Sequence, residues 1–164
     1  SAISSGGILY LSTGTFMTTG NHSITTSLIG SWKSNVTFNR ISGTLPIFYL
    51  KGAGTISGMT LDGNNLGGSV LVSSSSQHGT IRDIYFKNVA DSTYAFQLLG
   101  SFYMDIQDLE FHDNVFGNIF IYDSYYSSFY RTQMFGTNTS YGIKISESQY
   151  RRIYKKLNGK PCTN

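Results

Sequence analysis

The sequence is poor in cysteine, proline and charge: it has one cysteine and two prolines, and only 13% of its 164 residues are charged. Cys162 has no partner within the chain, which excludes an intrachain disulfide and a cysteine-based metal site. No run of about 18 apolar residues occurs and no signal peptide is evident, so we expect no membrane insertion. We also expect no metal and no cofactor.

The few charges are unevenly distributed along the chain. Residues 151–164 contain five Lys or Arg and no acid, whereas the rest of the chain is slightly acidic. A basic tail could contact phosphates. The acidic body does not favour binding along a polyanion, so we expect no nucleic acid partner.

The chain is instead rich in glycine and aromatic residues, with 18 Gly and 15% Phe, Trp and Tyr. One domain of this length can bury a core. Strand-forming residues dominate, and no stretch has a sustained helical period. The composition therefore predicts an all-β protein.

An apolar pattern recurs about every 24 residues, with apolar residues three and five positions after the first. The three columns are Ile56, Ile81, Ile106 and Phe129; Met59, Ile84 and Leu109; and Leu61, Phe86, Phe111 and Met134. A fixed period of this length is typical of a solenoid in which each repeat stacks on the next.

A second series of apolar residues lies between these segments. Two positions after each member comes a further residue of the same strand, Tyr49, Val72, Leu98, Ile121 or Ile145, and a spacing of two is expected of strands. Its members are Ile47, Val70, Phe96, Ile119 and Ile143. Asparagines follow the first series and are predicted to form left-handed bends. They are Asn39, Asn64, Asn88, Asn114 and Asn138.

Together these patterns predict a single-stranded parallel β-helix of about six to seven coils, each of roughly 24 residues. The runner-up is an antiparallel sandwich, which would not explain the long register. We expect one domain over residues 1–164, belonging to a longer chain. Residues 1–31 would form the opening strand and first coil, 32–150 the regular coils and 151–164 a basic last coil or tail.

The stretch SGGILYLSTGTF, from Ser5 to Phe16, resembles the opening strand of pectate-lyase-like right-handed β-helix proteins. It matches their pattern of two glycines, an apolar run and a Gly-Thr-Tyr ending, with Ser12 in place of the usual proline and Phe16 in place of the tyrosine. The resemblance implies a right-handed helix, and it is closest in character to phage and viral tailspikes. The group also includes polysaccharide lyases and glycoside hydrolases.

The stretch DIQDLEFHDN, residues 105–114, concentrates acidic residues beside a histidine. Glu110 and Asp108 are the candidate catalytic pair, because glycosidases use two carboxylates. The register places Asp108 in one column with Gly58, Asp83 and Arg131, where an outward ion pair between Asp108 and Arg131 is the alternative. Glu110 would share an outer column with Thr60, Tyr85 and Gln133.

Tyrosines supply the candidate carbohydrate-binding residues, because their rings offer flat apolar faces with a polar tip. The candidates are Tyr85, Tyr122, Tyr125, Tyr126 and Tyr130. The alternative is that these rings stack on neighbouring coils or pack against a second subunit.

The leading hypothesis is a virion tailspike or tail fibre, located on the virion or outside the cell. It would form a homotrimer, bind a host surface polysaccharide or other glycan, and contact other virion proteins. A polysaccharide lyase or glycoside hydrolase acting on a surface or plant-type polysaccharide is the enzymatic alternative. A secreted cell-surface adhesion repeat is a third hypothesis. A non-enzymatic role is favoured, since no recognisable catalytic motif is present.

Overall fold

The structure is a computed structural model, and it describes residues 7–90, 93–135 and 141–146. Every regular element within these ranges is a β-strand. In chain order the strands are β1 (Ile8–Leu11), β2 (Gly14–Thr18), β3 (His22–Ile24), β4 (Ser27–Gly30), β5 (Val36–Arg40), β6 (Phe48–Leu50), β7 (Thr55–Leu66), β8 (Leu71–Ser74), β9 (Thr80–Val89), β10 (Tyr94–Leu99), β11 (Asp105–His112), β12 (Gly117–Tyr122), β13 (Ser128–Tyr130), β14 (Gln133–Phe135) and β15 (Tyr141–Ser146).

The strands stack in parallel into two sheets, one of nine strands and one of six. The six-stranded sheet follows the order β3, β6, β8, β10, β12 and β15, and about five turns of chain connect its six levels. The prediction of an all-β parallel β-helix is confirmed. The predicted six to seven coils are slightly too many, and the last predicted coil lies outside the described residues.

The first sheet has the register that the sequence predicts. Ile56 pairs with Ile81 and Ile81 with Ile106, and Ile106 pairs with Phe129. The columns beginning at Met59 and Leu61 are likewise in register and buried, apart from the partly buried Met134 at the end of the second. Stacking like on like removes these side chains from water and closes one continuous apolar core.

The predicted register of the second sheet is wrong by one residue at a single step, because Phe96 pairs with Leu71 rather than with Val70. The other steps are confirmed. Phe48 pairs with Leu71, which is the register predicted for Ile47 and Val70, and Phe96 pairs with Ile119 and Ile119 with Ile143. Val70 and the adjacent Leu71 are both fully buried. Hydrophobicity alone therefore could not distinguish the two registers.

A column of left-handed residues bends the first sheet once in every later coil. Gly58, Asp83, Asp108 and Arg131 have φ angles of 70°, 53°, 54° and 46°. Each marks the point at which the coil turns from its first short segment to its second. Asp and Gly are suited to this conformation, and Arg131 adopts it despite its larger side chain.

The asparagine prediction holds at only some positions. Asn64 and Asn88 are left-handed, with φ of 54° at both. Asn114 is instead buried, where its side chain accepts from the Val89 amide and donates to Asn118. Asn39 is not among the left-handed residues, and Asn138 lies outside the described residues.

Arg40 is fully buried at the end of β5. Its guanidinium donates to four backbone carbonyl oxygens, those of Leu45, Leu66, Gly68 and Ser69, at 2.8–3.2 Å. Burial lowers the pKa of this guanidinium. The side chain therefore ties together two loops that would otherwise leave carbonyl groups without donors.

Candidate functional site

Glu110 lies on the outer surface of the first sheet, in the column that the sequence predicts. Thr60 pairs with Tyr85, Tyr85 with Glu110 and Glu110 with Gln133. Side chains alternate between the two faces of a strand, so the buried Leu109 and Phe111 direct Glu110 outward. Three successive coils thus bring Thr60, Tyr85 and Glu110 into one line.

Residues 31–35, named the arm, extend over this line. Ile29 pairs with Ser57 and Thr37 with Thr60, so the second coil holds five more residues here than the third. Later coils pass the same corner with a single left-handed residue. The extra residues leave the coil as a turn, in which the Trp32 carbonyl accepts from the amides of Asn35 and Val36.

Two polar contacts hold the arm against the sheet. The Thr60 hydroxyl donates to the Lys33 carbonyl at 2.5 Å. The Lys33 ammonium forms an ion pair with the Glu110 carboxylate, three coils further along the solenoid. The arm therefore spans the outer surface from the second coil to the fifth, and it creates a cleft between itself and the strands.

The cleft has a volume of about 230 Å³. Its lining residues are Trp32, Lys33, Ser34, Thr60, Tyr85 and Glu110. Trp32 is 53% exposed even though aromatic rings gain from burial. An exposed tryptophan at the edge of a cleft offers a flat apolar face to a ligand.

Tyr85 supplies a second aromatic ring and a hydrogen-bond donor. Burial, and next the negative charge of Glu110, raise the pKa of its hydroxyl. Tyr85 is consequently protonated at neutral pH and can donate through its hydroxyl. Because its hydroxyl already carries a proton at that pH, Tyr85 is a poor general base.

His112 supports one side of the Glu110 carboxylate. Its ring stacks between Tyr85 and Phe135, with centroid distances of 4.3 and 4.5 Å. His112 Nε2 is 3.6 Å from Glu110 Oε2, too long for a hydrogen bond, and it is buried without a hydrogen-bond partner among the described residues. Lys33 and His112 therefore flank Glu110, one on each carboxylate oxygen.

Asp108, the predicted catalytic partner of Glu110, is not among the residues that line the cleft. Its backbone occupies the left-handed corner, and its carboxylate accepts two hydrogen bonds from Arg131. The bond from Arg131 is the main cause that lowers the pKa of Asp108. Asp108 therefore remains ionised, and the alternative expectation of an outward ion pair with Arg131 describes it.

The five candidate tyrosines do not form one site. Tyr85 alone lines the cleft. Tyr126 stacks on Tyr103, which stacks on His78, at centroid distances of 5.0 Å in both cases. Tyr125 stacks on Phe102 at 5.5 Å. The alternative expectation that rings stack on neighbouring coils therefore holds for Tyr125 and Tyr126.

The remaining two candidates lie elsewhere on the surface. Tyr122 ends β12, with its ring 6.3 Å from that of Phe120, and Tyr130 pairs with Gln107 in the first sheet. Both are about two-fifths exposed. Their role in carbohydrate binding stays a prediction.

Trp32, Lys33 and His112 were not among the site residues predicted from the sequence. The detectable signal for the arm is a break in register, since Leu28 and Val36 are much further apart than their partners Ile56 and Met59. The arm also carries the only tryptophan of the chain. The contact between Lys33 and Glu110 joins residues 77 positions apart, and no local pattern predicts it.

In the described part of the chain, no group of three or more His, Cys, Asp or Glu residues could hold a metal ion. The same residues include no helix that is long and apolar enough to cross a membrane.

Comparison with known proteins identifies the architecture. The chain is similar to the ORF18 protein of Geobacillus virus E2, with a TM-score of 0.73 and 18% identity over 88% of this chain and 32% of the viral chain. It is also similar to a proposed glycosyl hydrolase of Parabacteroides merdae, with a TM-score of 0.68 and 11% identity over 88% and 83% of the two chains. No family model and no curated protein matches the chain.

These similarities define a parallel β-solenoid, and at such low identity they concern the fold alone. The chain spans about a third of the viral protein's length.

Proposed function

We propose that this chain is the saccharide-binding β-helix of a virion tailspike or tail fibre, and that the cleft under the arm is its binding site. The cleft itself carries the proposal, because it combines two aromatic rings with a carboxylate, an ammonium and hydroxyl groups. A saccharide presents apolar C–H faces and polar hydroxyl groups. The cleft supplies a matching partner for each kind of surface.

The size of the cleft fits a single sugar ring of a longer chain. Its volume of about 230 Å³ lies below the roughly 300–1,000 Å³ of sites that enclose drug-sized ligands. An open cleft on the side of a rod allows a polymer to continue on both sides of the bound ring. This arrangement suits attachment to a surface polysaccharide.

The position of the chain on a virion has separate support. The viral neighbour has the same fold over about a third of its length. The first coil exposes large apolar residues, with Ile8, Tyr10 and Met17 at 55%, 68% and 60%. Exposed apolar surface of this kind favours burial against another polypeptide. A homotrimer with further virion proteins as partners accords with this surface.

The enzymatic alternative rests on Glu110 and on the proposed glycosyl hydrolase that shares the fold. Glycosidases commonly place two carboxylates about 5–9.5 Å apart across the scissile bond. Among the described residues, Glu110 is the carboxylate that lines the cleft, while Asp108 pairs with Arg131. One carboxylate in an ion pair can accept hydrogen bonds from sugar hydroxyl groups, so saccharide binding is the better supported role.

The test measures polysaccharide binding by calorimetry for the wild type, Trp32→Ala and Tyr85→Ala. The matched control is Tyr10→Ala, which truncates a more exposed ring on the first coil. We expect each cleft variant to weaken binding at least tenfold and the control to leave it unchanged. Equal binding by all four proteins would remove the cleft as the binding site.

The same samples distinguish the other hypotheses. Release of reducing or unsaturated ends that Glu110→Gln abolishes would establish the enzyme. A monomeric mass by light scattering would contradict the trimer.

A further inference from the structure

The charged groups around the cleft are already matched in pairs. The Lys33 ammonium contacts Glu110, and Lys87 Nζ lies 3.1 Å from Asp62 Oδ2 in the neighbouring column. Side chains of the first pair are about a quarter exposed, so water screens them only partly. A ligand that enters the cleft therefore meets paired charges.

The surroundings of the Tyr85 hydroxyl lead to the same result. The carboxylates of Glu110 and Asp113 raise the pKa of this hydroxyl, and the ammonium groups of Lys87 and Lys33 lower it. Glu110 has the largest effect of the four. The strongest charge acting on this hydroxyl is therefore negative, which disfavours an anionic ligand beside it.

A sugar carboxylate that binds Lys33 must either displace Glu110 or share the same ammonium with it. In both cases two carboxylates lie close together, and the negative charge of Asp113 also acts on Tyr85. Like charges at short range repel, and a partly buried charge that loses its partner is destabilised. An acidic sugar therefore opposes the ion pair that holds the arm in place.

A neutral sugar meets no such conflict. One hydroxyl can donate to Glu110 while its neighbour accepts from Lys33, so the ion pair stays intact and both hydroxyls have charged partners. Adjacent hydroxyls on a sugar ring are spaced to bridge two groups in contact. The sugar ring then lies within reach of Trp32 and Tyr85.

From this geometry we infer that the cleft selects a neutral hexose residue over a uronate or sialate, with the Lys33–Glu110 pair as the hydroxyl ligand that sets the preference. The inference rests on the proposed saccharide binding and adds the class of sugar to it. It follows from the ion pair between Lys33 and Glu110, both of which line the cleft.

Trp32 makes the test direct, because the only tryptophan of the chain lines the cleft and its fluorescence reports on ligands there. The probes are three matched pairs at constant salt: mannotriose and trimannuronate, galactotriose and trigalacturonate, and lactose and sialyllactose. We expect the neutral member to bind at least about tenfold more tightly in every pair that binds.

Two variants test the cause of the preference. Glu110→Gln keeps the shape of the side chain and frees Lys33, so we expect the ratio of neutral to acidic affinity to fall at least about tenfold. Lys33→Met leaves Glu110 without its cation and should raise the same ratio.

The outcomes separate the inference from the proposed function. Equal or tighter binding of the acidic members by the wild type, or an unchanged ratio in Glu110→Gln, overturns the sugar preference and leaves saccharide binding standing. Failure of every pair to bind, by fluorescence and by calorimetry, overturns both.

Discussion

Removal of the arm separates the cleft from the solenoid that carries it. The perturbation deletes residues 31–35 and joins Gly30 directly to Val36. The shortened segment Leu-Ile-Gly-Val then has the same length as Ile-Ser-Gly-Met, residues 56–59 of the next coil. Gly30 would take the left-handed corner that Gly58 occupies with φ of 70°. No β-strand loses a residue.

The expected loss of stability is small enough for the fold to survive. The deletion removes the backbone bonds from Gly14 to Asn35 and from Ser31 to Leu11, the bond from Thr60 to Lys33, and the ion pair between Lys33 and Glu110. At about 0.5–1.5 kcal/mol per hydrogen bond and about 0–1 kcal/mol for the partly exposed ion pair, offset slightly by the shorter loop, the net loss is about 2–5 kcal/mol. Domains of this kind commonly have about 5–15 kcal/mol available.

The same deletion should strongly weaken the affinity for polysaccharide. Loss of a tryptophan at the centre of a binding site costs about 2 kcal/mol or more, and Lys33 adds a charged hydrogen-bond donor. A total of about 3 kcal/mol corresponds to roughly a 100-fold weaker affinity.

The assay combines urea unfolding, followed by circular dichroism, with calorimetry of polysaccharide binding. Trp32→Ala in the full-length arm is the matched control, and we expect its affinity to lie between those of the wild type and the deletion. Unchanged affinity in the deletion would refute the cleft as the site. An unfolded deletion variant would refute the inference that the arm is an insertion into a regular coil.

Two further predictions concern stability. Arg40→Met leaves four carbonyl groups without their donor and should lower the free energy of unfolding by about 3 kcal/mol in urea. The same change at the exposed Arg131 should lower it much less, and equal effects would contradict the role of burial. Because Arg131 lowers the pKa of Asp108, the stabilisation it provides is fully present above the unfolded pKa of about 3.9 and is lost as pH falls through the lowered folded pKa. The urea midpoint of the wild type should therefore fall more steeply below about pH 4 than that of Arg131→Gln, and parallel curves would contradict the assignment.

Much of the solenoid could be predicted because its apolar columns repeat at a nearly constant spacing. Ile56, Ile81 and Ile106 form one column, and only stacking in register buries all three. The error in the second sheet arose where Val70 and Leu71 are both buried, so either of them could face Phe96 and satisfy the same apolar pattern. Periodicity determines register only where polar residues flank the buried ones.

The candidate site was predictable only in part. Tyr85 and Glu110 were placed in one outer column because they share a repeat position. Asp108 was expected near Glu110 because the two are close in sequence, but Asp108 itself forms the left-handed corner and pairs with Arg131, while Glu110 lines the cleft.

The sequence by itself therefore determined the repeating architecture, since the pattern of buried and exposed side chains is local and recurs in every coil. It also determined which face Glu110 occupies. Only the tertiary structure decided what lies opposite that carboxylate. The arm bridges three coils through a contact between Lys33 and Glu110, and stacking of the coils brings these distant residues together. Such a contact depends on the axial rise of the solenoid, which leaves no mark in the spacing of residues along the chain.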